Sequence, residues 1–574
     1  MSKPRVVFSL PFLTALLLAP PAHAAWQPDG IAVSAAASEQ LLSRVIADGA
    51  GGSIVVWRDL RGGLTEDLYA QRLDAVGAPL WLPDGVVVSA AAGNQTEFDL
   101  ASDGAGGVIV TWQDERGGTS TDIYAQRVSS TGAALWTPDG VPVCTAAGNK
   151  YEPRLIAAGA GGAFIAWEDA RDANLDSDIY AQRLDGAGNP LWAPNGLPVC
   201  GAAGPQYSTR IVSDGTGGAI VVWQDYGVGP GGGCIFAQRV DGSGTPQWNG
   251  RGLSLENHPG GLLSEDAVAD GVGGVIATWA GYSQATGFDI HSQRMAGSGA
   301  RLWGNGGLVV CAAAADQEAP ALASDGAGGA IVAWDDPRQS VEQVFAQRVS
   351  AGGQPLWLAD GLPVVSGVNI TAIPAIRCGP DGSGGAYLTW ADDRLDPNLG
   401  RQRAYAQRLN AQGAPQWTVN GIALTSPAAS DDQRLPALTS NGTAGLVVAW
   451  QDFRIASFDI YAQRIDASGT VGSTADVAGG PVARAGVIEV RPNPMRSTTT
   501  IRFALRAGER YTAVILDASG RLIRRLADER ATADESSLTW DGRDGVGVAV
   551  SAGLYLIRVQ AAHRTMARGI VLIR

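Results

Sequence analysis

The sequence predicts an all-β protein: an eight-bladed β-propeller whose last blade is completed by the N-terminal strand, followed by a C-terminal β-sandwich. Tryptophan recurs with a long regular period over residues 26–450, which indicates repeated structural units. The chain contains 77 glycines and 17 tryptophans, and its short β-branched segments are separated by glycine turns. This composition is typical of repeat-built all-β folds.

Two tryptophan series define the units. Together they include sixteen of the seventeen tryptophans, and each series recurs every 54 to 60 residues. The first series is Trp26, Trp81, Trp136, Trp192, Trp248, Trp303, Trp357 and Trp417, and the second is Trp57, Trp112, Trp167, Trp223, Trp279, Trp334, Trp390 and Trp450. Eight units of this length, each with room for four strands, favour propeller blades over a linear array of repeats.

One unit shows the four predicted strands, which we name A to D. Strand A ends at the turn of Asp103, strand B covers 108–112, strand C includes 124–127, and strand D follows the next tryptophan. Residues 26–33 form a strand D without the three strands that should precede it, and the last unit stops after strand C at 461–464. We therefore expect the N-terminal strand to complete the last blade, which removes the exposed edges of an open array.

Loop lengths predict where a ligand binds. The A–B turn aspartate or asparagine precedes the strand-B tryptophan by nine residues wherever it is present, and the Ala-Gln-Arg arginine precedes the next tryptophan by nine residues in seven units. Length varies only in the B–C and D–A connections, which share the opposite face of the predicted ring. Variable loops on a fixed scaffold commonly bind ligands, so we expect the binding site on that face.

A repeated charge pattern predicts ion pairs within the blades. Trp-x-Asp-x-Arg occurs in six of eight units, and the Ala-Gln-Arg arginine recurs in all eight. Because a catalytic site is built once and this pattern is built many times, we interpret it as structural. We expect the motif aspartate to pair with the strand-C arginine of its own blade, as in the pairs Asp59–Arg72, Asp114–Arg127, Asp169–Arg183 and Asp452–Arg464.

The N-terminus resembles a secretory signal peptide. Residues 1–5 are basic, residues 6–18 are apolar but too few to span a bilayer, and a small-residue cleavage site follows. We expect residues 1–24 to be removed by cleavage between Ala24 and Ala25, leaving a secreted or bacterial cell-surface protein without a transmembrane segment. The net charge of −14 argues against nucleic acid as a partner.

One loop is a candidate calcium site. Asp172, Asn174, Asp176 and Asp178 place oxygen ligands at alternate positions of a predicted B–C loop. The alternative is a solvated acidic loop, because the glycine and the glutamate of an EF-hand are absent. We expect no other cofactor, since the remaining histidines and cysteines form no metal-binding or triad pattern.

The five cysteines are expected to be mostly free, buried thiols. Cys144, Cys200 and Cys311 occupy the same repeat position, and equivalent positions on different blades usually lie beyond bridging distance. Cys200 and Cys234 are the one pair for which a disulfide deserves a test.

The repeat region resembles known propellers. The segment 70–81, Ala-Gln-Arg-Leu-Asp-Ala-Val-Gly-Ala-Pro-Leu-Trp, is similar to the tryptophan-docking repeat of eight-bladed quinoprotein propellers, although no quinone pocket is recognisable. The region as a whole, 25–471, resembles eight-bladed β-propeller repeat proteins of uncharacterised function.

A small-residue linker, 472–486, separates the repeats from a last domain, 487–574. This domain alternates apolar and polar residues between turns, which predicts a sandwich of about seven strands. Its Pro-Asn-Pro at 492–494, Trp-Asp-Gly-Arg-Asp at 540–544 and Gly-Leu-Tyr at 553–555 resemble the FlgD-type Ig-like domain and the type A C-terminal sorting domain of type IX secretion. The resemblance implies export machinery as a partner; a retained spacer is the alternative.

The expected function is binding without catalysis. We expect a secreted or cell-surface scaffold that binds an extracellular carbohydrate or protein through the B–C and D–A loops. The alternative is a secreted carbohydrate-active enzyme, a glycosidase or lyase, which would need carboxylates from different blades roughly 5 to 10 Å apart at the propeller mouth.

Overall fold

The computed structural model describes residues 26–171, 176–227, 232–256, 261–338, 340–371, 373, 375–426, 432–441, 445–454, 457–472, 488–491, 495–504, 510–517, 521–530, 535–561 and 564–573. These residues form 39 β-strands and no helix, so the predicted all-β class is confirmed. Nothing in this part of the chain is a helix long and apolar enough to cross a membrane. The predicted signal peptide, its cleavage site at Ala24–Ala25, and residues 473–486 of the predicted linker lie outside the described residues.

The chain divides into two compact units, Met1–Asp476 and Val477–Arg574. In the first unit each repeat supplies strands A and B as predicted. Strands A are β2 (Gln40–Ala47), β6 (Gln95–Ser102), β10 (Asn149–Gly159), β14 (Gln206–Ser213), β18 (Leu262–Ala269), β22 (Glu318–Ser324), β26 (Ile376–Pro380) and β30 (Gln433–Ser440). Strands B are β3 (Ser53–Asp59), β7 (Val108–Asp114), β11 (Gly162–Ala170), β15 (Ala219–Asp225), β19 (Val275–Ser283), β23 (Ala330–Asp335), β27 (Ala386–Asp392) and β31 (Gly445–Asp452).

Strands C and D complete the repeats. Strands C are β4 (Asp67–Leu73), β8 (Asp122–Val128), β12 (Asp178–Leu184), β16 (Cys234–Val240), β20 (Gly287–Met295), β24 (Val344–Val349), β28 (Arg403–Leu409) and β32 (Asp459–Asp466). Strands D are β1 (Ile31–Ser34), β5 (Val86–Ser89), β9 (Val141–Cys144), β13 (Leu197–Cys200), β17 (Leu253–Ser254), β21 (Leu308–Cys311), β25 (Leu362–Pro363) and β29 (Ile422–Ala423).

These strands form eight four-stranded antiparallel sheets, which we number as blades 1 to 8 along the chain. In blades 1 to 7 the strands follow one another in the order A-B-C-D. Strands A of successive blades contact each other around the ring, and β2 of blade 1 also contacts β30 of blade 8. The inner strands therefore enclose a central channel, as in a β-propeller.

The N-terminal strand completes blade 8. Strand β1 pairs antiparallel with β32, with Ile31 opposite Ala462 and Ala32 opposite Tyr461. The sheet order β1-β32-β31-β30 thus joins the first strand of the chain to the last repeat. The ring is closed, and the pairing covers the edge that strand C of blade 8 would otherwise expose.

The eight strand-B tryptophans form the centre of the blades, and each has 0% exposed area. Each indole faces the aromatic residue opposite it on strand C, at ring-centroid distances of 5.9 to 6.4 Å. In blade 5 that partner is His291, which lies 5.9 Å from Trp279 and takes the place of the repeat tyrosine. Large aromatic side chains thus supply much of the buried apolar area of each blade.

The motif aspartates do not pair with the arginines that the sequence suggested. Asp59 accepts a hydrogen bond from Trp57 Nε1 at 2.8 Å and pairs with Arg61, two residues further on, at 2.5 Å. The same local pairs recur elsewhere, as Asp114–Arg116, Asp169–Arg171 and Asp452–Arg454.

Strand register explains why the prediction was wrong. Asp59 lies opposite Asp67 at one end of the β3–β4 hairpin, whereas Arg72 lies opposite Ile54 at the other end. Five residues of strand separate the two positions, roughly 16 Å along the strand. Asp59 is instead two residues from Trp57 on the same face, so the indole N–H is its nearest donor.

The strand-C arginines pair with the A–B turn aspartates. Arg72 contacts Asp48 at 2.8 Å and Arg127 contacts Asp103 at 3.0 Å. Blade 3 has Ala158 where the other blades have this aspartate or asparagine, and there Arg183 donates to the Gly242 carbonyl at 2.7 Å. Arg464 of blade 8 is buried, with 4% of its area exposed.

The second unit contains seven strands within the described residues, as predicted. They are β33 (Ile488–Arg491), β34 (Thr499–Ala504), β35 (Arg510–Asp517), β36 (Leu522–Arg530), β37 (Glu535–Trp540), β38 (Gly553–Ala561) and β39 (Arg564–Leu572). They form two sheets, β33-β34-β37 and β36-β35-β38-β39. Trp540 and Tyr555 pack edge-to-face at 5.1 Å in the core between the sheets, which is the arrangement of a β-sandwich.

Candidate functional site

The antiparallel strand order separates two faces of the ring. The A–B and C–D turns lie on one face, and the B–C and D–A connections lie on the other, which we call the loop face. This is the arrangement that the loop lengths predicted. The loop face holds a groove and several exposed aromatic side chains.

The groove has a volume of about 620 Å³ and lies on blades 2 to 4. Its walls combine hydroxyl and amide groups with two tyrosine rings: Thr119, Ser120, Ala147, Gly148, Asn149, Tyr151, Ala170, Ser177 and Tyr207. A cavity of this size with a few polar groups and aromatic walls suits a small molecule or a short polymer segment.

Aromatic rings continue from the groove across blades 4 and 5. Tyr207 lies 5.9 Å from Tyr226, and Tyr282 lies 5.4 Å from Phe288 in an edge-to-face pair. The exposed fractions are 39% for Tyr207, 36% for Tyr226 and 55% for Tyr282. Gly233 packs against the Tyr226 ring, so a Cβ there would lie 3.2 Å from ring carbons. The rings are therefore held in place and remain open to solvent.

Two of these tyrosines occupy one repeat position that the sequence analysis missed. The position lies three residues after each strand-B tryptophan and is occupied by Leu60, Glu115, Ala170, Tyr226, Tyr282, Pro337, Asp393 and Phe453. In blades 4 and 5 its backbone N–H is fixed by the D–A connection that leads into the same blade, as Tyr226 donates to Pro205 O (3.0 Å) and Tyr282 donates to Gly261 O (2.8 Å). Comparison of the eight repeats at this position would have shown the aromatic residues of blades 4, 5 and 8.

The predicted calcium ligands are only partly described. Asp172 and Asn174 lie outside the described residues. Asp176 and Asp178 are half-buried, and Asp178 lies opposite Asp169 at the start of β12. In the described part of the chain, no three His, Cys, Asp or Glu residues are grouped as a metal site requires. Calcium binding in this loop stays a prediction.

All five cysteines are free thiols, including Cys200 and Cys234. Four are buried and Cys378 is half-buried. Burial raises the pKa of Cys144, Cys200 and Cys234 to about 11. These thiols are therefore protonated at neutral pH and are poor nucleophiles.

The central channel is a second cavity, which the sequence analysis did not identify. It has a volume of about 550 Å³ and is lined by strands A. Its charged lining residues are Arg44, Asp99, Arg154, Arg210, Glu265, Asp266 and Arg377. The available signal was the spacing of 55 or 56 residues between Arg44, Asp99, Arg154, Arg210 and Asp266, all on predicted strands A.

A carboxyl group beside this channel has an altered acidity. Glu168 of β11 is buried and accepts the Ser208 N–H at 2.6 Å. Burial raises the pKa of Glu168 to about 7, and the nearby Glu152 and Glu265 also raise it, while Arg154 opposes the shift. This carboxyl group therefore changes charge near neutral pH.

Comparisons with known proteins give a family only for the C-terminal unit. Residues 496–564 match the model of the FlgD Ig-like domain. No curated protein matches the chain.

Solved structures resemble the chain at low sequence identity. The polysaccharide lyase Uly1 is 10% identical, with 68% of this chain and 93% of that chain covered and a TM-score of 0.39. An α-L-arabinanase of Penicillium chrysogenum is 14% identical, with 55% and 92% covered and a TM-score of 0.31. PorZ, a surface component of the type IX secretion system of Porphyromonas gingivalis, is 12% identical, with 96% and 100% covered and a TM-score of 0.22.

The family match agrees with the seven-stranded sandwich and with the motifs read from the sequence. It covers Trp540 and Tyr555, whose rings form the centre of the core. The protein therefore consists of an all-β, propeller-type repeat region followed by a FlgD Ig-like domain.

Proposed function

We propose that the protein is a secreted or cell-surface scaffold that binds an extracellular ligand through its loop face without chemical turnover, and that the ligand is a carbohydrate. The groove beside Tyr151 and Tyr207 is the observation that supports this proposal most directly. An extracellular protein ligand is the alternative.

The chemistry of the groove fits a sugar. Hydroxyl and amide side chains from Thr119, Ser120 and Asn149 can exchange hydrogen bonds with sugar hydroxyls. Aromatic rings carry a negative face that attracts the C–H groups of a sugar ring. The exposed rings of Tyr226 and Tyr282 extend this surface beyond the groove.

The repeated acids are engaged in structural contacts, which supports binding over catalysis. Asp59, Asp114 and Asp169 each accept a tryptophan indole N–H and pair with a local arginine. One observation favours the alternative of a glycosidase or lyase. The pKa of Glu168, raised to about 7, suits a general acid, and other carboxylates lie close to it.

A glycan screen separates binding from turnover. The full-length protein is applied to an array of neutral and acidic glycans, and each bound glycan is then incubated with the protein and analysed for shortened or unsaturated products. We expect binding without products. Products that disappear in Glu168→Gln would overturn the binding-only function and identify an enzyme, whereas an array without any bound glycan would favour a protein ligand.

We also propose that the C-terminal unit serves export or surface attachment, which the FlgD Ig-like match and the resemblance to sorting domains support. The intact mass of the protein recovered from its native cells tests this role. A chain that begins at Ala25 and ends within 472–486 would show a cleaved sorting signal. A chain that still ends at Arg574 would show that the domain is retained and would remove the main support for type IX export.

A further inference from the structure

Each blade contributes one strand-A residue to a ring of equivalent positions around the central channel. The position lies on strand A, and we call its eight residues the channel ring: Arg44, Asp99, Arg154, Arg210, Asp266, Ala321, Arg377 and Ala437. The ring therefore contains four arginines, two aspartates and two alanines. The residue type at this position differs from blade to blade although the fold of the blades is the same. The repeated fold therefore does not dictate these side chains, and they can serve a separate function.

A bulge precedes the channel ring in seven blades. The residue two positions before it has a φ of 38 to 59° in Leu42, Glu97, Glu152, Ser208, Ser264, Ala319 and Leu435. In blades 1 to 6 and 8 the pairing of strands A and B also shifts at this point. Left-handed backbone favours glycine, yet none of these residues is glycine. Three of these residues, Ser264, Ala319 and Leu435, line the channel, and Leu42 and Glu97 line a neighbouring cavity that also contains Arg44, Asp99 and Arg377. Residues with side chains are therefore kept at this position despite the backbone cost.

Two arginines of the ring are matched by an acid on the next blade. Arg44 Nη1 lies 3.4 Å from Asp99, and Arg210 Nε lies 3.9 Å from Asp266. The aspartates are themselves fixed, because Asp99 accepts the Leu155 N–H at 3.0 Å and Asp266 accepts the Leu322 N–H at 2.8 Å.

Arg377 breaks this pattern. The next blade offers Ala437 and the preceding blade offers Ala321, so small apolar side chains flank the guanidinium in the ring. Its hydrogen bond is to the carbonyl of its own neighbour, Ile376, at 3.2 Å. Among the described residues no carboxylate oxygen lies within 4.0 Å of it, and its side chain is exposed to the channel.

The charge of the channel fits one negative group. The seven charged lining residues are four arginines and three acids, which is a formal net charge of +1 when every group is ionised, inside a protein whose overall formal charge is −14. Enclosure by the protein lowers the pKa of Arg377, the Asp266 carboxylate opposes this shift, and the guanidinium groups of Arg210 and Arg154 add to it.

We propose that the central channel binds a small carboxylate-bearing ligand, of the acidic-sugar class, with its carboxylate on Arg377, whose neighbours in the channel ring are Ala321 and Ala437. The planar guanidinium fork matches a carboxylate in two parallel hydrogen bonds. The cavity of about 550 Å³ is large enough for a small sugar. This site lies inside the ring and is independent of the loop-face groove.

Calorimetric titration of the full-length protein with galacturonate and glucuronate tests the proposal, with galactose and inorganic phosphate as comparison ligands. We expect wild type to bind at least one of the two uronates more tightly than galactose and phosphate. Arg377→Ala should weaken that binding at least tenfold, and Arg377→Lys should weaken it less, because the charge remains but the fork is lost. Arg521→Ala removes an exposed arginine of the C-terminal unit and should leave the affinity unchanged.

The decisive variant is Ala437→Asp, which restores the arginine–acid pattern of the neighbouring blades. An internal carboxylate beside Arg377 should compete with the ligand and weaken binding at least tenfold while the melting temperature stays close to that of wild type. If Ala437→Asp unfolds the blade, the Arg377→Lys result decides in its place. Failure of wild type to bind either uronate, tighter binding of phosphate, or equal uronate affinity in Arg377→Ala would overturn the proposal. Uronate binding that is lost in Tyr207→Ala and kept in Arg377→Ala would assign the acidic sugar to the groove.

Discussion

Arg127 of blade 2 donates a hydrogen bond from Nη1 to the carbonyl oxygen of Gly186 in blade 3, at 3.2 Å. Trp136 Nε1 of blade 2 donates to the same oxygen at 3.1 Å. The arrangement recurs around the ring, as in Arg72 and Trp81 with the Ser130 carbonyl. One arginine and one tryptophan of each such blade therefore converge on a single acceptor of the next blade, and this contact joins neighbouring blades.

Replacement of Arg127 by alanine should destabilise the repeat region by about 3 to 5 kcal/mol, since it leaves the buried Asp103 without its cation and removes a bond between blades. Urea unfolding followed by tryptophan fluorescence measures the change. Arg521→Ala is the matched control and should change stability by less than about 0.5 kcal/mol, because Arg521 is mostly exposed. Equal stability of the two variants would show that the contact contributes nothing.

The turn aspartates should make the protein sensitive to acid. Burial alone would raise the pKa of Asp103, but the N–H groups of Ala105 and Gly107 and the Arg127 guanidinium outweigh burial and lower it. The pKa of Asp214 is lowered in the same way. A lowered folded-state pKa gives stability that is complete above the unfolded value near 4 and is lost as the pH falls through the folded value.

Asp103→Asn should therefore cost about 2 kcal/mol at pH 7, and this difference from wild type should shrink as the pH falls below the unfolded-state value near 4. Chemical denaturation at a series of pH values gives the comparison. A difference that stays constant over the whole range would show that the charge of Asp103 does not contribute.

Glu168 should have the opposite pH dependence. Its pKa rises from 4.5 to about 7 on folding, so the unfolded chain loses this proton before the folded protein does. Stability contributed by the protonated carboxyl is lost as the pH rises from about 4.5 to about 7. Glu168→Gln should be more stable than wild type at pH 8 by up to about 3 kcal/mol and equally stable near pH 4. A constant offset at both pH values would contradict this explanation.

Closure of the ring by the N-terminal strand predicts equal roles for Trp26 and Trp136. Trp26 is 5% exposed and donates to the Ala75 carbonyl at 3.1 Å, as Trp136 does to Gly186. Either residue changed to alanine should cost about 3 to 5 kcal/mol. Calorimetric melting of the two variants tests this. A Trp26→Ala protein that melts like wild type would mean that the N-terminal strand is dispensable for the ring.

The architecture could be predicted from the sequence because the residues that define it recur periodically. The two tryptophan series mark the buried centre of each blade and the contact with the next blade, and the split repeat at 26–33 and 461–464 predicts the pairing of β1 with β32. The ion-pair partners of the repeated charged residues could not be predicted from the sequence. Asp59 and Arg72 recur together in the sequence, but strand register places them at opposite ends of one hairpin.

The candidate sites were only partly predictable for a related reason. Loop-length variation pointed to the loop face, where the groove lies. Tyr226 and Arg377 differ from the residues at the equivalent positions of other blades. A search for the features that all repeats share therefore overlooks them. Their roles depend on neighbours from other blades, which only the closed ring brings together.

The most direct test of the account is the affinity of the Tyr207 variants for the glycan that wild type binds best. Tyr207→Ala removes a ring that lines the groove and should weaken binding at least tenfold, whereas Tyr207→Phe keeps the ring and should bind almost as wild type does. Phe453→Ala, on blade 8, is the control for loss of an exposed aromatic side chain elsewhere on the same face. Unchanged affinity in Tyr207→Ala would contradict the loop-face binding site.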